Sequence, residues 1–174
     1  MKIEILQGIS GAGKSTYADS RKDAMVCSAD YFWRGAKMQP HLLPEAHRYC
    51  FRGFMGEVLR KNPYVIVDNT NLMAETVSPY YLAGDAYGYE VEIVRFNVSP
   101  EVAAERNVHS VPSWKVKQMH ETLRHFKPMK NWKIRTHTWD ACRICGEANI
   151  PGHMKLHERA AVGDEDSRGG SPRP

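Results

Sequence analysis

The chain has 174 residues, of which 42% are apolar and 25% charged, and its formal net charge is +4. These values are typical of one soluble globular domain, and they exclude a coiled coil or a wholly disordered chain. No apolar run approaches the roughly 20 residues that span a bilayer, and the first residues lack the apolar segment of a signal peptide. We therefore expect a cytoplasmic protein whose four cysteines are thiols or metal ligands.

Short apolar runs alternate with segments of helical spacing through the first 126 residues. Strands are predicted over 3–6, 24–27, 64–67 and 91–96, and helices over 14–21, 44–61, 74–87, 100–107 and 113–126. This alternation predicts an α/β fold in which a mostly parallel sheet lies between helices. We further predict a basic aromatic linker over 127–139, a Cys/His segment over 140–160 and a disordered tail over 161–174.

A glycine-rich motif follows the first predicted strand and opens the first predicted helix. Residues 8–15, Gly-Ile-Ser-Gly-Ala-Gly-Lys-Ser, fit G-x-x-x-x-G-K-[ST], the phosphate-binding loop, in its expected context. Main-chain N–H groups would cradle the phosphates of ATP, Lys14 would reach the outer phosphates, and the Ser15 hydroxyl would bind Mg²⁺. The predicted nucleotide-binding residues are Gly8, Ser10, Gly11, Ala12, Gly13, Lys14, Ser15, Thr16 and Asp68.

Two aspartates follow predicted strands, where ligands bind in parallel sheets. Asp68 ends the third strand and is predicted to hold Mg²⁺ directly or through water, the alternative being an ordinary turn residue. Asp30 follows the second strand. A phosphotransferase needs an acid there to orient an acceptor hydroxyl and take its proton. From its position alone, Asp30 could equally cap the segment that follows it.

Five segments together resemble the polynucleotide 5′-kinase branch of the P-loop kinases. They are residues 8–15, Ser28-Ala29-Asp30, Leu43-Pro44-Glu45-Ala46-His47, residues 65–72 and Arg106-Asn107-Val108-His109-Ser110-Val111-Pro112, in the family's order. Over roughly residues 1–126 the chain is similar to the kinase half of phage polynucleotide kinase-phosphatases and to their stand-alone AAA-type relatives. The resemblance implies a three-layer P-loop kinase sandwich, with ATP and Mg²⁺ as cofactors.

The resemblance also implies roles for individual residues. Asp30 matches the family's general base, Lys14 and Ser15 its phosphate and Mg²⁺ ligands, and Arg106 a lid arginine that neutralises charge on the transferring phosphoryl group. In the family, an arginine three residues after the base binds the acceptor's phosphate. In this chain Trp33 occupies that position. Trp33 could stack on a nucleobase or pack in the core or lid. The family's second lid arginine is also missing.

Positive charge is concentrated between residues 114 and 139, which carry seven basic and one acidic side chain. Such a stretch would attract a polyanion such as DNA or RNA, and it could also be a solvated helix face followed by a basic linker.

A Cys/His cluster follows the basic stretch. Cys142, Cys145, His153 and His157 form the pattern C-x₂-C-x₇-H-x₃-H, which predicts a tetrahedral structural zinc site. The alternatives are surface histidines and a chance C-x-x-C or a disulfide. Cys27 and Cys50 lie in the predicted kinase core, where we expect them to be buried apolar residues.

Three functions are compatible with these features. The first is an ATP- and Mg²⁺-dependent kinase that phosphorylates the 5′-hydroxyl of DNA or RNA. The second is a P-loop kinase or NTPase that acts on a small molecule, which the missing acceptor-phosphate arginine favours. The third is a non-catalytic nucleic-acid or protein adaptor built on the zinc segment and the basic stretch.

Overall fold

A five-stranded, fully parallel sheet forms the centre of the protein in the computed structural model, which describes residues 1–107 and 111–138. Its strands are β1 (Lys2–Gln7), β2 (Met25–Cys27), β3 (Tyr64–Asp68), β4 (Glu90–Phe96) and β5 (Ile134–His137), in the spatial order β2-β3-β1-β4-β5. The helices are α1 (Lys14–Ser20), α2 (Leu43–Leu59), α3 (Ala74–Ala86), α4 (Pro100–Glu105) and α5 (Ser113–Arg124). Short 3₁₀ helices cover Ala29–Trp33 and Pro40–Leu42.

The inner strands are largely apolar on both faces, as expected of a parallel sheet that helices cover from both sides. In the central strand, Ile3 and Ile5 are fully buried in a cluster with α2 and α3, and Glu4 and Leu6 are equally buried. On the Glu4 side, α1 brings Tyr17 against Phe96 at a ring-centroid distance of 5.4 Å. These contacts confirm the predicted α/β architecture with a parallel sheet.

Helix α2 covers one face of the sheet with a single apolar stripe. Its buried residues Ala46, Cys50, Phe54 and Val58 recur at helical spacing, as the sequence predicts. Leu59, which the sequence also assigned to this stripe, is 62% exposed because it lies one position past the stripe at the helix end. Cys27 and Cys50 are buried, as expected.

The segment predicted as a linker over 127–139 instead contains the edge strand β5. Residues 1–137 consequently form one compact unit that extends beyond residue 126. β5 is short and polar, and no apolar alternation marks it as a strand. Glutamates from distant strands stabilise it: Arg135 donates to Glu92 at 2.9 Å and to Glu4 at 3.1 Å. A strand held by such distant partners cannot be recognised from local periodicity.

Glu4 is the centre of a buried polar cluster on the α1 side of the sheet. Its carboxylate accepts hydrogen bonds from Tyr17 at 2.9 Å and Tyr64 at 2.6 Å, and pairs with Lys2 at 2.7 Å. Burial alone would raise the pKa of Glu4, but these partners outweigh that effect and hold it below its ordinary value. The cluster therefore joins three strands and α1 through one charged group.

Several predictions concern residues outside the described ranges. The predicted zinc ligands Cys142, Cys145, His153 and His157 lie there, as do the predicted tail over 161–174 and residues 108–110 of the lid motif. Within the part of the chain that the structure describes, no helix combines the length and apolar character needed to cross a membrane.

Candidate active site

The glycine-rich loop connects β1 to α1 at the carboxyl edge of the sheet. Gly11 and Gly13 adopt left-handed backbone angles, with φ of 82° and 90°, which turn the chain around the space in front of α1. Gly11 also contacts α4, because a Cβ on it would lie 2.0 Å from the carbonyl oxygen of Ala103. Glycine is thus required there both for the backbone angle and for the contact. The loop's interior also includes Ala12, which is fully buried, whereas Thr16 on α1 is exposed.

Lys14 is buried beneath this loop. Its ammonium group donates a hydrogen bond to the main-chain carbonyl of Ile9 at 2.9 Å. Burial lowers the pKa of Lys14, while the carboxylates of Asp68 and Asp30 act in the opposite direction. The lysine therefore lies within the electrostatic field of both predicted site aspartates, where its charge can also stabilise a phosphate.

Asp68 lies at the end of β3, opposite Ser15. Its carboxyl is largely buried, and burial raises its pKa, whereas Lys14 and a hydrogen bond with the Ser15 side chain oppose that rise. A serine hydroxyl next to a carboxylate is an oxygen pair that suits Mg²⁺, a hard cation that prefers oxygen ligands. The residues present therefore fit the magnesium site predicted from the sequence, with Ser15 and Asp68 as its holders.

Asp30 lies in the first turn of the 3₁₀ helix Ala29–Trp33. Ser28 caps this helix, because its side-chain oxygen accepts a hydrogen bond from the Asp30 main-chain N–H at 3.2 Å. The Asp30 residue is solvent-exposed, unlike Lys14 and Asp68. The structure therefore brings the three predicted residues to one edge of the sheet and leaves the candidate base accessible to a second substrate.

Two residues that the sequence analysis gave no role fasten the Asp30 loop to the end of β3. The Ser28 hydroxyl donates to the main-chain carbonyl of Asp68 at 2.9 Å, and the Ala29 N–H donates to the side-chain carbonyl of Asn69 at 2.9 Å. The Asn69 amide in turn donates to the Cys50 sulfur on α2 at 3.3 Å. The sequence signal for these two residues is that each is polar and directly follows a buried strand. Their hydrogen-bond partners could not be predicted, because they depend on which strands are neighbours in the sheet.

A second polar network underlies the glycine-rich loop on the other side of β3. The Gln7 side chain donates to the Asn71 carbonyl at 2.9 Å and accepts from Arg95 Nε at 2.7 Å. The Asn71 amide donates to the Leu6 carbonyl at 2.7 Å, and the Gly8 N–H donates to the Thr70 carbonyl at 3.0 Å. These bonds lock the start of the loop to the segment after β3. They also explain why Asn71 holds a left-handed φ of 49°.

The predicted lid residue Arg106 caps the carboxyl end of α4, three residues after Ala103, whose carbonyl adjoins Gly11. Its Nε and Nη1 atoms are buried. The next residue, Asn107, accepts a hydrogen bond from the Ser10 hydroxyl at 3.2 Å and donates to the Val111 carbonyl at 2.7 Å. Arg106 therefore lies on an element that contacts the glycine-rich loop twice, at Gly11 and at Ser10.

Trp33 is partly buried and packs against the core. Its ring meets Phe32 edge-on at 5.0 Å, and both are partly buried against the main core. Arg34, the next residue, is exposed and has a left-handed φ of 46°. Of the two interpretations of Trp33, the structure favours packing.

Part of the basic stretch over 114–139 is neutralised within the protein. Arg135 binds Glu4 and Glu92, and Lys133 pairs with Glu90 at 3.1 Å. On α5, Lys117 lies 3.8 Å from Glu101 and Lys115 donates to Gln118 at 2.8 Å, whereas Lys127 and Lys130 after this helix are exposed to solvent. Among residues 1–107 and 111–138, no three Cys, His, Asp or Glu side chains form a group that could hold a metal.

Comparison with known proteins identifies the family. A family model described as an AAA domain matches residues 4–130. Human NEDD4-binding protein 2 is 29% identical to this chain over an alignment of 182 residues, which covers 98% of this chain and 10% of that protein. The chain therefore spans about a tenth of the length of that curated relative.

Two solved structures share the fold. A chain of the Pnkp1/Rnl/Hen1 RNA repair complex superposes with a TM-score of 0.61 at 18% identity, over 71% of this chain and 44% of that chain. A gluconokinase from Sinorhizobium meliloti 1021 superposes with a TM-score of 0.54 at 16% identity, over 93% and 97%. Because the family model matches well over half of the sequence, the chain belongs to the AAA domain family of P-loop kinase-like proteins.

Proposed function

We propose that the protein transfers the γ-phosphoryl group of ATP to the 5′-hydroxyl of a DNA or RNA end. The observation that carries this proposal is the pairing of an exposed carboxylate, Asp30, with the buried P-loop lysine, Lys14, at one edge of the sheet. A phosphotransferase needs this combination, because the lysine binds the donor and the carboxylate orients the acceptor alcohol. An NTPase that uses water needs no exposed acid dedicated to a second substrate.

In the proposed reaction, the 5′-hydroxyl oxygen attacks the γ-phosphorus in line with the bond to the β–γ bridging oxygen. That bond breaks, and its electron pair leaves with ADP. The Asp30 carboxylate accepts the proton of the hydroxyl, so that the products are ADP and a 5′-phosphorylated end. Most of the rate enhancement comes from holding the two reactants in this geometry.

Charge stabilisation falls to residues around the glycine-rich loop. Lys14 binds the outer phosphates once its ammonium moves from the Ile9 carbonyl to a phosphate oxygen, and Arg106 neutralises the phosphoryl group from the end of α4. Ser15 and Asp68 would hold Mg²⁺, which supplies further charge neutralisation when bound. Asp68 must be ionised for this, and Lys14 and Ser15 both favour its ionised form.

A nucleic-acid acceptor is supported by three further features. The sequence resembles polynucleotide 5′-kinases over residues 1–126, and a chain of an RNA repair complex has the same fold. The exposed lysines Lys127 and Lys130 after α5 also leave positive charge available to a polyanion, whereas Lys133 and Arg135 are paired within the protein.

The test is phosphoryl transfer from γ-labelled ATP, in the presence of Mg²⁺, to matched DNA and RNA oligonucleotides that carry a 5′-hydroxyl. We expect labelling of these acceptors and none of the same oligonucleotides with a 5′-phosphate. Asp30→Asn should abolish labelling and leave ATP binding largely intact. Asp23→Asn, an exposed aspartate seven residues upstream, is the matched control and should keep the wild-type rate. Labelling by Asp30→Asn at the wild-type rate would remove Asp30 as the base.

Phosphorylation of a small molecule is the second candidate. It is favoured by Trp33, which occupies the position of the family's acceptor-phosphate arginine and packs against Phe32. The same assay distinguishes the two, with a nucleoside and gluconate as additional acceptors. An oligonucleotide with a 5′-hydroxyl should suppress labelling of a small acceptor only if both use the same site and the nucleic acid is the true substrate.

A further inference from the structure

An open cleft of about 460 Å³ lies between the edge strand β2 and helix α2. Its walls include Met25, Tyr31, Tyr49 and Arg52, and the buried thiols Cys27 and Cys50 border it. The volume lies in the range of sites that hold a small molecule or one unit of a polymer, roughly 300–1,000 Å³. None of the residues with a proposed role in the transfer of the γ-phosphoryl group lines this cleft.

The cleft begins at the loop that carries the candidate base. Ser28 and Tyr31, which flank Asp30 closely in sequence, both line it. Burial raises the pKa of the Tyr31 hydroxyl, and the carboxylates of Asp68 and Asp30 add to this rise. Tyr31 directly follows Asp30 in the 3₁₀ helix Ala29–Trp33, so a molecule in the cleft would extend from the edge of the sheet that carries the candidate base.

The walls have the chemistry of a nucleotide site. Tyr31 and Tyr49 are 50% and 38% exposed, and each offers a ring against which a flat heterocycle can stack. Met25, 45% exposed, adds an adaptable apolar surface.

Arg52 supplies the charge that a phosphate needs. It is exposed, and within the described ranges it makes no ion pair or side-chain hydrogen bond. Glu57, the acid of the cleft, is already engaged by Arg60 at 2.7 Å and by Asn62 at 3.2 Å. The free guanidinium thus lies in a cleft whose carboxylate is neutralised, which suits an anionic ligand.

We propose that this cleft binds the terminal nucleotide of the acceptor strand, with its base against Tyr31 and Tyr49 and its 3′-phosphate on Arg52. The inference rests on the proposed function, since it names the site for that reaction's acceptor. It also accounts for Trp33, because Tyr31 on the 3₁₀ helix and Tyr49 and Arg52 on α2 would replace the arginine missing at that position.

The experiment is steady-state kinetics with a 5′-hydroxyl oligonucleotide and the variants Tyr49→Ala, Tyr49→Phe and Arg52→Ala. We expect Tyr49→Ala and Arg52→Ala each to raise the KM for the oligonucleotide about tenfold, a typical effect of losing one stacking or phosphate contact. The KM for ATP should stay within about twofold, because the glycine-rich loop is untouched. Tyr49→Phe keeps the ring and should behave as wild type.

Two controls sharpen the result. Arg48→Ala removes an exposed arginine of the same helix that is paired with Glu45 at 2.6 Å and does not line the cleft, so its KM should not change. An acceptor with an abasic 5′-terminal residue should bind the wild type weakly, and Tyr49→Ala should weaken it no further. Melting temperatures show whether each variant folds. If Tyr49→Ala does not fold, Tyr31→Ala replaces it as the variant that loses a stacking ring, and Tyr49→Phe remains the variant that keeps the ring.

The outcomes separate this inference from the proposed function. If the wild type labels oligonucleotides and Tyr49→Ala and Arg52→Ala keep the wild-type KM, the cleft is not the acceptor site. An equal loss in Arg48→Ala would also overturn the inference, since the effect would be one of general surface charge. If the wild type labels no oligonucleotide at all, the proposed function fails and this inference falls with it.

Discussion

The Ser28 hydroxyl donates a hydrogen bond to the main-chain carbonyl of Asp68 over 2.9 Å. Through this bond the loop that carries the candidate base is attached to the strand that carries the candidate magnesium ligand. Both residues are almost fully buried, so water does not compete for the bond. The position of Asp30 relative to the end of β3 is therefore set by a contact between neighbouring elements, which is the kind of positioning that the proposed phosphoryl transfer requires.

Ser28→Ala should slow transfer more than it weakens ATP binding. The variant removes one of the two hydrogen bonds that hold the Asp30 loop to the end of β3, and a displacement of about 1 Å at a reacting group costs up to roughly 100-fold in rate. We expect kcat to fall at least tenfold, by the same argument, while the KM for ATP stays near the wild-type value. Ser28→Thr retains the hydroxyl and should recover most of the rate. Equal kcat values for Ser28→Ala and wild type would show that the bond does not position the base.

Gly11→Ala should destroy the nucleotide site. A methyl group there would lie 2.0 Å from the Ala103 carbonyl oxygen, in addition to the strain of a φ of 82°. Gly35→Ala is a matched control, since Gly35 has a φ of 85° and nothing within 4 Å of the added Cβ. Backbone strain alone costs about 1–2 kcal/mol, which Gly35→Ala should lose in a denaturant titration. Gly11→Ala should lose more and should also fail to bind a fluorescent ATP analogue. Similar losses in both variants would mean that the contact with α4 is unimportant.

Glu4→Gln should destabilise the fold in a pH-dependent manner. Although burial pushes the pKa of Glu4 upward, hydrogen bonds from Lys2, Tyr64 and Tyr17 hold it below the ordinary value of 4.5. A lowered pKa in the folded state means that the ionised carboxylate stabilises the protein above about pH 4.5, and that this contribution is lost as the pH falls through the folded-state pKa.

Denaturation at several pH values tests this expectation. At pH 7, Glu4→Gln should be less stable by about 2 kcal/mol, the scale of a lost charged hydrogen bond, and the difference from wild type should shrink below pH 4.5. Glu90→Gln, which removes an exposed partner of Lys133, should have little effect at any pH. A difference between Glu4→Gln and wild type that does not vary with pH would exclude this charge as the cause.

Removal of Lys127 or Lys130 should weaken oligonucleotide binding in a salt-dependent manner. Both lysines are exposed and make no ion pair with another described residue, so each can contact a phosphate and displace a bound cation. Each alanine variant should reduce the slope of log K against log salt by about 0.7 for a single strand. Lys133→Ala should leave the slope unchanged because Lys133 is paired with Glu90. Fluorescence anisotropy at several salt concentrations measures these slopes, and equal slopes for all three variants and wild type would contradict the assignment.

The amino-acid sequence by itself determined the first four strands, the five helices and the phosphate-binding loop. Each of these is encoded locally, by an apolar run, a helical stripe or a glycine pattern that one short segment contains. The candidate residues Lys14, Asp30 and Asp68 could be selected for the same reason, since each stands at the end of a recognisable strand or loop.

Only the tertiary structure decided what depends on distant partners. β5 pairs with β4 and is stabilised by Arg135, which reaches Glu4 and Glu92, and the Asp30 loop is held because β2 lies beside β3, which brings Ser28 to Asp68. The cleft beside Asp30 and the packing of Trp33 against Phe32 likewise arise from elements that the sequence separates. Hydrogen bonds and ion pairs between such elements depend on the order of the strands in the sheet. Local sequence periodicity therefore cannot predict them.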